Sequence, residues 1–339
     1  MADPLRHHGD VEARGLLDLA VNVYDGPRPR WLDEALLGSL DAVGAYPDPT
    51  AARAAAAARH GRPPAEALVT AGAAEAFTLV ARLRPWHRPV VVHPQFTEPH
   101  AALEQAGHAV TSVLLHEPFT LDPALVPEDA DLVVVGNPTN PTGVLHPAEA
   151  LTGLARPGRL LVVDEAFMDC VPGEPESLAG LRLPGLVVIR SLTKHWGIPG
   201  VRAGYVVGDP DAVAGLERAQ TPWSVGTTAA AAVVACTSAR AAREARHRAE
   251  RIREWREHLE KGLAGLGIHH LPSAASFVLA QVGDGVHARL REAGIAVRRA
   301  DTFPGLDGRW VRIAVRPPET TDQMLVELEN LRTIGRRAI

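Results

Sequence analysis

The sequence is short of three things, and each shortage removes a class of protein. Its two cysteines, Cys170 and Cys236, lie far apart and outside any CxxC pair. Neither a disulfide framework nor structural thiolate metal ligation is expected. There is no concentrated basic excess, the formal net charge being −5, so nothing in the charge balance calls for nucleic acid. No apolar run approaches the roughly 18 residues of a membrane span, and the opening MADPLRHHGD lacks the charged-then-apolar pattern of a secretory signal. The expectation is a cytoplasmic protein with no nucleic-acid, membrane or metal partner.

What is present suits a large globular protein. A chain of 339 residues, 46% hydrophobic and 22% charged, suits two packed domains or one large core with a smaller lobe. Short β-branched runs recur between helical segments: PVVVH at 89–93, DLVVV at 131–135, LLVV at 160–163 and LVVI at 186–189. Continuous apolar strands separated by helices indicate a buried, mostly parallel sheet, and GYVVG around Val206 reads as a further strand, antiparallel in one reading. Helices are predicted over 73–83 and 98–106, and a long charged helical stretch follows Pro222, with Ser224 as its candidate cap. From Gly267 the strands ASFVLAQV, GIAVRR and WVRIAVR alternate with helices. The predicted fold class is α/β, with a large mixed sheet domain over 36–225. A smaller α+β domain is expected from 226–339, joined by an N-terminal arm over 1–35.

Four polar features fall at predicted strand ends, where open α/β sheets hold ligands. GNPTNPTG presents Asn140 on a tight loop, and VVDEAF leaves Asp164 at the end of an apolar strand. An ionised carboxylate there needs a positive partner. RSLTKHWGIPGVRAGY carries Lys194 and, eight residues on, Arg202. In VTAGAAEAF, Gly72 permits a turn and the free N–H groups of Ala73 and Ala74 can hold an anion. Phe96 in HPQFTEPH can cover one face of a planar ring. The set suits a cofactor with an aldehyde, a protonated ring nitrogen, a phenolic oxygen and a phosphate, which is pyridoxal 5′-phosphate.

Two other readings of these segments stand beside that one. Ser191-Leu-Thr-Lys194 is an S-x-x-K sequence, but its S-D-N and K-T-G companions are absent. The arginine-rich stretch from Ala239 could grip nucleic acid, yet its arginines alternate with Glu244, Glu250, Glu254 and Glu257, the pattern of a solvated salt-bridged face.

On these motifs the chain resembles a fold-type I enzyme of the class I/II aminotransferase family, over nearly its whole length. Within it the resemblance is to the branch that contains histidinol-phosphate aminotransferase and L-threonine-O-3-phosphate decarboxylase. The resemblance implies that Lys194 is the covalent cofactor anchor and proton carrier, that Asp164 pairs with the ring nitrogen and that Asn140 meets the phenolic oxygen. It implies ring stacking by Phe96 and phosphate binding by Ala73, Ala74, Ser191, Thr193 and Arg202. Tyr46 would reach the phosphate across a homodimer interface, and His8, Asn22, Arg298 and Arg312 would bind a phosphorylated amino-acid substrate. HHGD, LAVN, DEAFMD, TPWSV and RIAVRPPE favour the decarboxylase within that branch, with transamination of histidinol phosphate as the alternative. Phe167 stands where tyrosine is usual, and His100 replaces a common aromatic.

Overall fold

The computed structural model describes residues 4–7 and 9–337. Its strands, in chain order, are β1 (Leu17–Leu19), β2 (Ala67–Thr70), β3 (Pro89–His93), β4 (Thr111–Leu114), β5 (Leu132–Gly136) and β6 (Leu160–Asp164). They continue with β7 (Leu186–Ser191), β8 (Gly204–Gly208), β9 (His269–His270), β10 (Phe277–Gln281), β11 (Ile295–Arg299) and β12 (Trp310–Ala314). The seven-stranded sheet has the order β2-β8-β7-β6-β5-β3-β4, and a five-stranded sheet has the order β1-β11-β12-β10-β9.

In the large sheet the pairs β3–β4, β3–β5, β5–β6 and β6–β7 are parallel. β8 runs antiparallel to both β2 and β7. The valine-rich strands β3, β5, β6, β7 and β8 are buried at every position, which is why they read as unbroken apolar runs. β4 is different. As the edge strand it buries only Val113 of TSVL, so it carries too little hydrophobic signal to stand out in the sequence.

Direction decides where chemistry can sit. Because β8 is reversed, its first residue, Gly204, pairs with the last residues of both β2 and β7, Thr70 and Ser191. The end of β6 adjoins β7, and Gly136 at the end of β5 is in register with Asp164. One edge of the sheet therefore lines up the segments after β2, β7, β6 and β5.

The helical stretch after Pro222 is two helices, Thr227–Cys236 and Ala239–Gly265. Ser224 caps neither, and its buried hydroxyl has no hydrogen-bond partner among the described residues. Ser238 caps the second helix, accepting from Ala241 N–H at 3.1 Å. On that helix Arg253 pairs with Glu250 and Glu257 at 2.9 and 2.7 Å, while Arg248 and Arg256 are buried inward. The arginine-rich segment is a salt-bridged face packed on the protein.

Behind the β6–β7 edge lies a buried ionic network. Arg190 donates to Glu165, Asp169 and Glu174 at 2.9, 2.7 and 2.8 Å, and Arg59 also pairs with Glu174. Glu165 further accepts from the Ser177 hydroxyl and the Leu178 N–H. Burial raises the Glu165 carboxyl above its usual range, and attraction from Arg190 opposes that rise only in part. Breaking such a network by removing one partner generally costs about 3–5 kcal/mol, since the other charge stays buried. Here it fixes the residue after Asp164 to the strand that leads to Lys194.

Candidate active site

Three neighbouring strand ends make a cradle. Gly72 follows β2 at φ +78° and caps helix Ala73–Arg82 without a side-chain hydrogen bond. That positive φ is one glycine adopts freely. A Cβ on Gly72 would also come within 2.7 Å of the Arg202 guanidinium, and one on Gly204 within 3.0 Å of the Ala73 nitrogen. Arg202 itself holds a left-handed backbone, φ 59°, an uncommon conformation for arginine. Its side chain is exposed and donates to the Pro199 carbonyl at 3.1 Å. Ser191 and Thr193 share a hydrogen bond at 2.9 Å and are both buried. The helix N-terminus, two hydroxyls and one guanidinium are the donor set of a phosphate site.

Next along the edge is Asp164, buried at the end of β6. Its Oδ1 accepts the Ala166 N–H at 3.1 Å. Burial pushes its pKa up to about 7; the Ala166 hydrogen bond opposes that rise, the Glu165 charge adds to it and Lys194 opposes it. Lys194 is half-buried, and its backbone carbonyl accepts the Tyr24 N–H at 2.9 Å. A carboxylate this reluctant to ionise accommodates a cationic ring N–H beside it. The residues present therefore fit pyridoxal phosphate at both ends of the molecule.

Asn140 lies on the loop after β5. The loop is pinned by Asn137, which accepts the His146 N–H and donates to the His146 carbonyl, and by Thr139, bonded to the Gly136 carbonyl. Gly143, at φ +74°, lets this loop press on Ser273, whose hydroxyl lies 2.1 Å from where a Cβ would stand. Asn140 Oδ1 accepts from Arg312 Nη1 at 2.7 Å.

Arg312 is thereby shared between the two sheets. Its Nη2 donates to the Ala20 carbonyl at 2.5 Å. With the Asn22 amide turned to accept, Arg312 also donates to Asn22 Oδ1 through Nη1 and Nε, both at 3.1 Å. Arg298 is its direct partner across β11–β12, so both arginines leave the same sheet face. Arg298 is buried, with Nη2 donating to the His7 carbonyl and to the Thr302 hydroxyl at 2.9 and 2.7 Å. Two buried guanidinium groups side by side suit an anionic ligand.

The remaining candidates are less gathered. Phe96 is half-buried beside Phe77, ring centres 6.1 Å apart. Phe167 meets Phe277 edge-on at 4.9 Å, and the Arg312 guanidinium stands over that same Phe277 ring. His100 is buried, its Nδ1 3.0 Å from His93 Nε2. Tyr46 is far from buried, stacked on the exposed Trp223 at 4.5 Å. His8 lies outside the described residues.

Several buried arginines were not singled out in the sequence. Arg248 donates to the carbonyls of His195 and Pro27, tying the segment after Lys194 to the N-terminal arm. Arg316 donates to the carbonyls of Asp18, Val21 and Val23, fixing the strand on which Asn22 follows. An arginine within an apolar run is the signal that could have found Arg190 and Arg316.

The family model for aminotransferase class I and II matches residues 14–328. A histidinol-phosphate aminotransferase of Mycobacterium tuberculosis is 49% identical over 318 residues, covering 92% of this chain and 87% of the relative. The threonine-phosphate decarboxylase of Salmonella typhimurium is 32% identical over 338 residues, covering 94% and 92%. Among solved structures, an aspartate aminotransferase double mutant of Thermus thermophilus is 26% identical with TM-score 0.83, covering 93% of this chain and 91% of that one. The histidinol-phosphate aminotransferase of Clostridium acetobutylicum, at 24% identity and TM-score 0.86 over 94% and 99%, shares the fold. The chain thus belongs to the class I and II aminotransferase family, as a fold-type I enzyme dependent on pyridoxal 5′-phosphate.

Proposed function

We propose that this chain transfers the amino group of histidinol phosphate, or a close phosphorylated amino compound, to 2-oxoglutarate. One observation carries the choice of reaction: identity to a histidinol-phosphate aminotransferase is 49%, against 32% to the threonine-phosphate decarboxylase. The order of preference drawn from the motifs alone, decarboxylation first, is reversed by that difference. Decarboxylation of L-threonine O-3-phosphate is the second reading, favoured by Phe167, which offers no hydroxyl to the cofactor's phenolic oxygen.

The bound cofactor supplies an aldehyde for the substrate amine and a conjugated ring that accepts an electron pair from the α-carbon. The rest is the chain's work. Ser191, Thr193, Arg202 and the N–H groups of Ala73 and Ala74 grip the phosphate, and Phe96 covers one ring face. Asp164 keeps a proton on the ring nitrogen through the charge that its burial makes costly. Lys194 anchors the cofactor at rest, then moves a proton at the substrate α-carbon through its Nζ. Asn140 and Arg312, joined at 2.7 Å, orient the phenolic oxygen and a substrate anion, with Asn22 and Arg298 on the same side.

Residues 36–225 serve as the cofactor-binding domain, with 1–35 and 226–339 as the arm, connecting helix and smaller domain. Tyr46, with the exposed Leu40, Val43 and Trp223, supports a homodimer in which Tyr46 reaches the partner's phosphate. Sedimentation should then give twice the 36.1 kDa chain mass; a monomer at micromolar concentration would remove Tyr46 from the site.

The reaction is tested with purified holoenzyme. Histidinol phosphate plus 2-oxoglutarate should yield glutamate, while threonine phosphate should release no carbon dioxide. Carbon dioxide from threonine phosphate, without glutamate formation, reverses the choice.

Asp164 gives a pH test on the cofactor-free protein. Its folded pKa, about 7, lies above the usual 3.8, so its contribution is full below pH 3.8 and is lost as pH rises through 7. Asp164→Asn should therefore stabilise the apoprotein at pH 8, by on the order of 3–4 kcal/mol. The gain should shrink to less than half at pH 5. Chemical denaturation at the two pH values reads both, and an equal or destabilising effect at pH 8 contradicts the assignment.

A further inference from the structure

A second cleft lies apart from the site just described. It has a volume of about 800 Å³ and lies at the opposite edge of the large sheet, between the start of β6 at Leu160 and Gly185, just before β7. Asp164 is four residues along β6, roughly 13 Å away at ~3.3 Å per residue. The volume falls within the range of small-molecule sites.

Charge sets this cleft apart. Its lining holds four arginines, Arg84, Arg156, Arg159 and Arg218, against one acid, Asp211, on a chain whose net charge is −5. Arg159 is structural: it is buried and its guanidinium is spent on the carbonyls of Ala130, Leu154, Pro127 and Glu128. The other three are exposed, and among the described residues none of them forms an ion pair.

Their placement is partly fixed. The Arg84 guanidinium carbon stands over Trp86, 4.4 Å from the ring centre, and Nη2 donates to the Gly158 carbonyl at 2.7 Å and the Asp131 carbonyl at 3.4 Å. Arg156 donates through Nη1 to the carbonyls of Gly153 and Ala155. Arg218 makes no hydrogen bond among the described residues, and its Nη2 lies 3.7 Å from where a Cβ on Gly215 would stand. Carbonyls satisfy only a few of the five N–H donors each guanidinium carries and leave its charge unneutralised. Between the arginines the lining is apolar, from Leu83, Leu183 and Pro184.

We propose that this cleft is a second ligand site, separate from the active site, that binds a small organic phosphate of mononucleotide size. The phosphate would sit on Arg156 and Arg218, the body on the apolar lining, and a planar group against the outer face of Arg84. Charge-assisted bonds from guanidinium to phosphate supply the affinity.

The test is calorimetric titration of the holoenzyme, its active-site phosphate cradle already filled, with adenosine 5′-monophosphate as the probe. One equivalent per chain should bind, more weakly as salt is raised. Arg156→Glu combined with Arg218→Glu should lower the affinity at least tenfold while leaving turnover and the cofactor absorbance unchanged. If the double variant loses the cofactor spectrum, Arg218→Ala alone, at an exposed position with no hydrogen-bond partner among the described residues, should still weaken binding severalfold. Absence of binding to the parent enzyme, or equal binding to the charge-reversed and parent proteins, overturns the proposal.

Discussion

The cost of keeping Asp164 ionised inside the sheet edge is the constraint on which the rest of this structure turns. A carboxylate at the end of an apolar strand, with one backbone N–H and a nearby lysine to oppose desolvation, is stable as an anion only when a cation lies beside it. The fold could have reduced the cost with further hydrogen-bonded partners, as it does for Glu165 one residue later, where burial still raises the carboxyl. There Arg190, Ser177 and Leu178 all donate to the carboxylate. Adjacent acids thus have opposite treatments. Glu165 has three donors and holds the frame, while Asp164 has one backbone donor and room for the ring N–H proposed as its partner.

That frame also explains why the site draws on both sheets. Asn140 comes from the large sheet, Arg312 from the small one, and the Ala20 carbonyl with Asn22 from the segment after β1. Buried arginines join these pieces because one guanidinium can serve several carbonyls in different directions. Arg312, Arg316 and Arg248 each bridge segments more than 50 residues apart in sequence. An anion entering beside Arg298 and Arg312 would meet donors already held in place, which lowers the ordering cost of binding.

Much of this was legible in the residues because it follows from short-range rules. Valine runs gave the inner strands of the large sheet, and glycine before a helix start gave the cradle at Gly72. The order of Asn140, Asp164, Lys194 and Arg202 gave the cofactor. β4 stayed hidden because an edge strand needs little apolar surface, and Ser224 caps no helix because the first helix begins at Thr227 with Gly226 at its cap, while Ser238 caps the second. Arg190 was missed because its three carboxylate partners meet it only through folding. The choice between carbon dioxide loss and amino transfer was not legible either. It depends on which substrate bond stands perpendicular to the ring, and no single residue type encodes that angle.

The central claim is that Lys194 is the covalent seat of the cofactor, and the sequence makes it cleanly testable. The chain has two lysines, Lys194 and Lys261, and Lys261 is exposed on the long helix Ala239–Gly265. Borohydride reduction of the holoenzyme followed by peptide mass mapping should find the cofactor mass on the Lys194 peptide alone, and Lys194→Ala should abolish it. A reduced adduct on Lys261, or one that survives Lys194→Ala, would contradict the account.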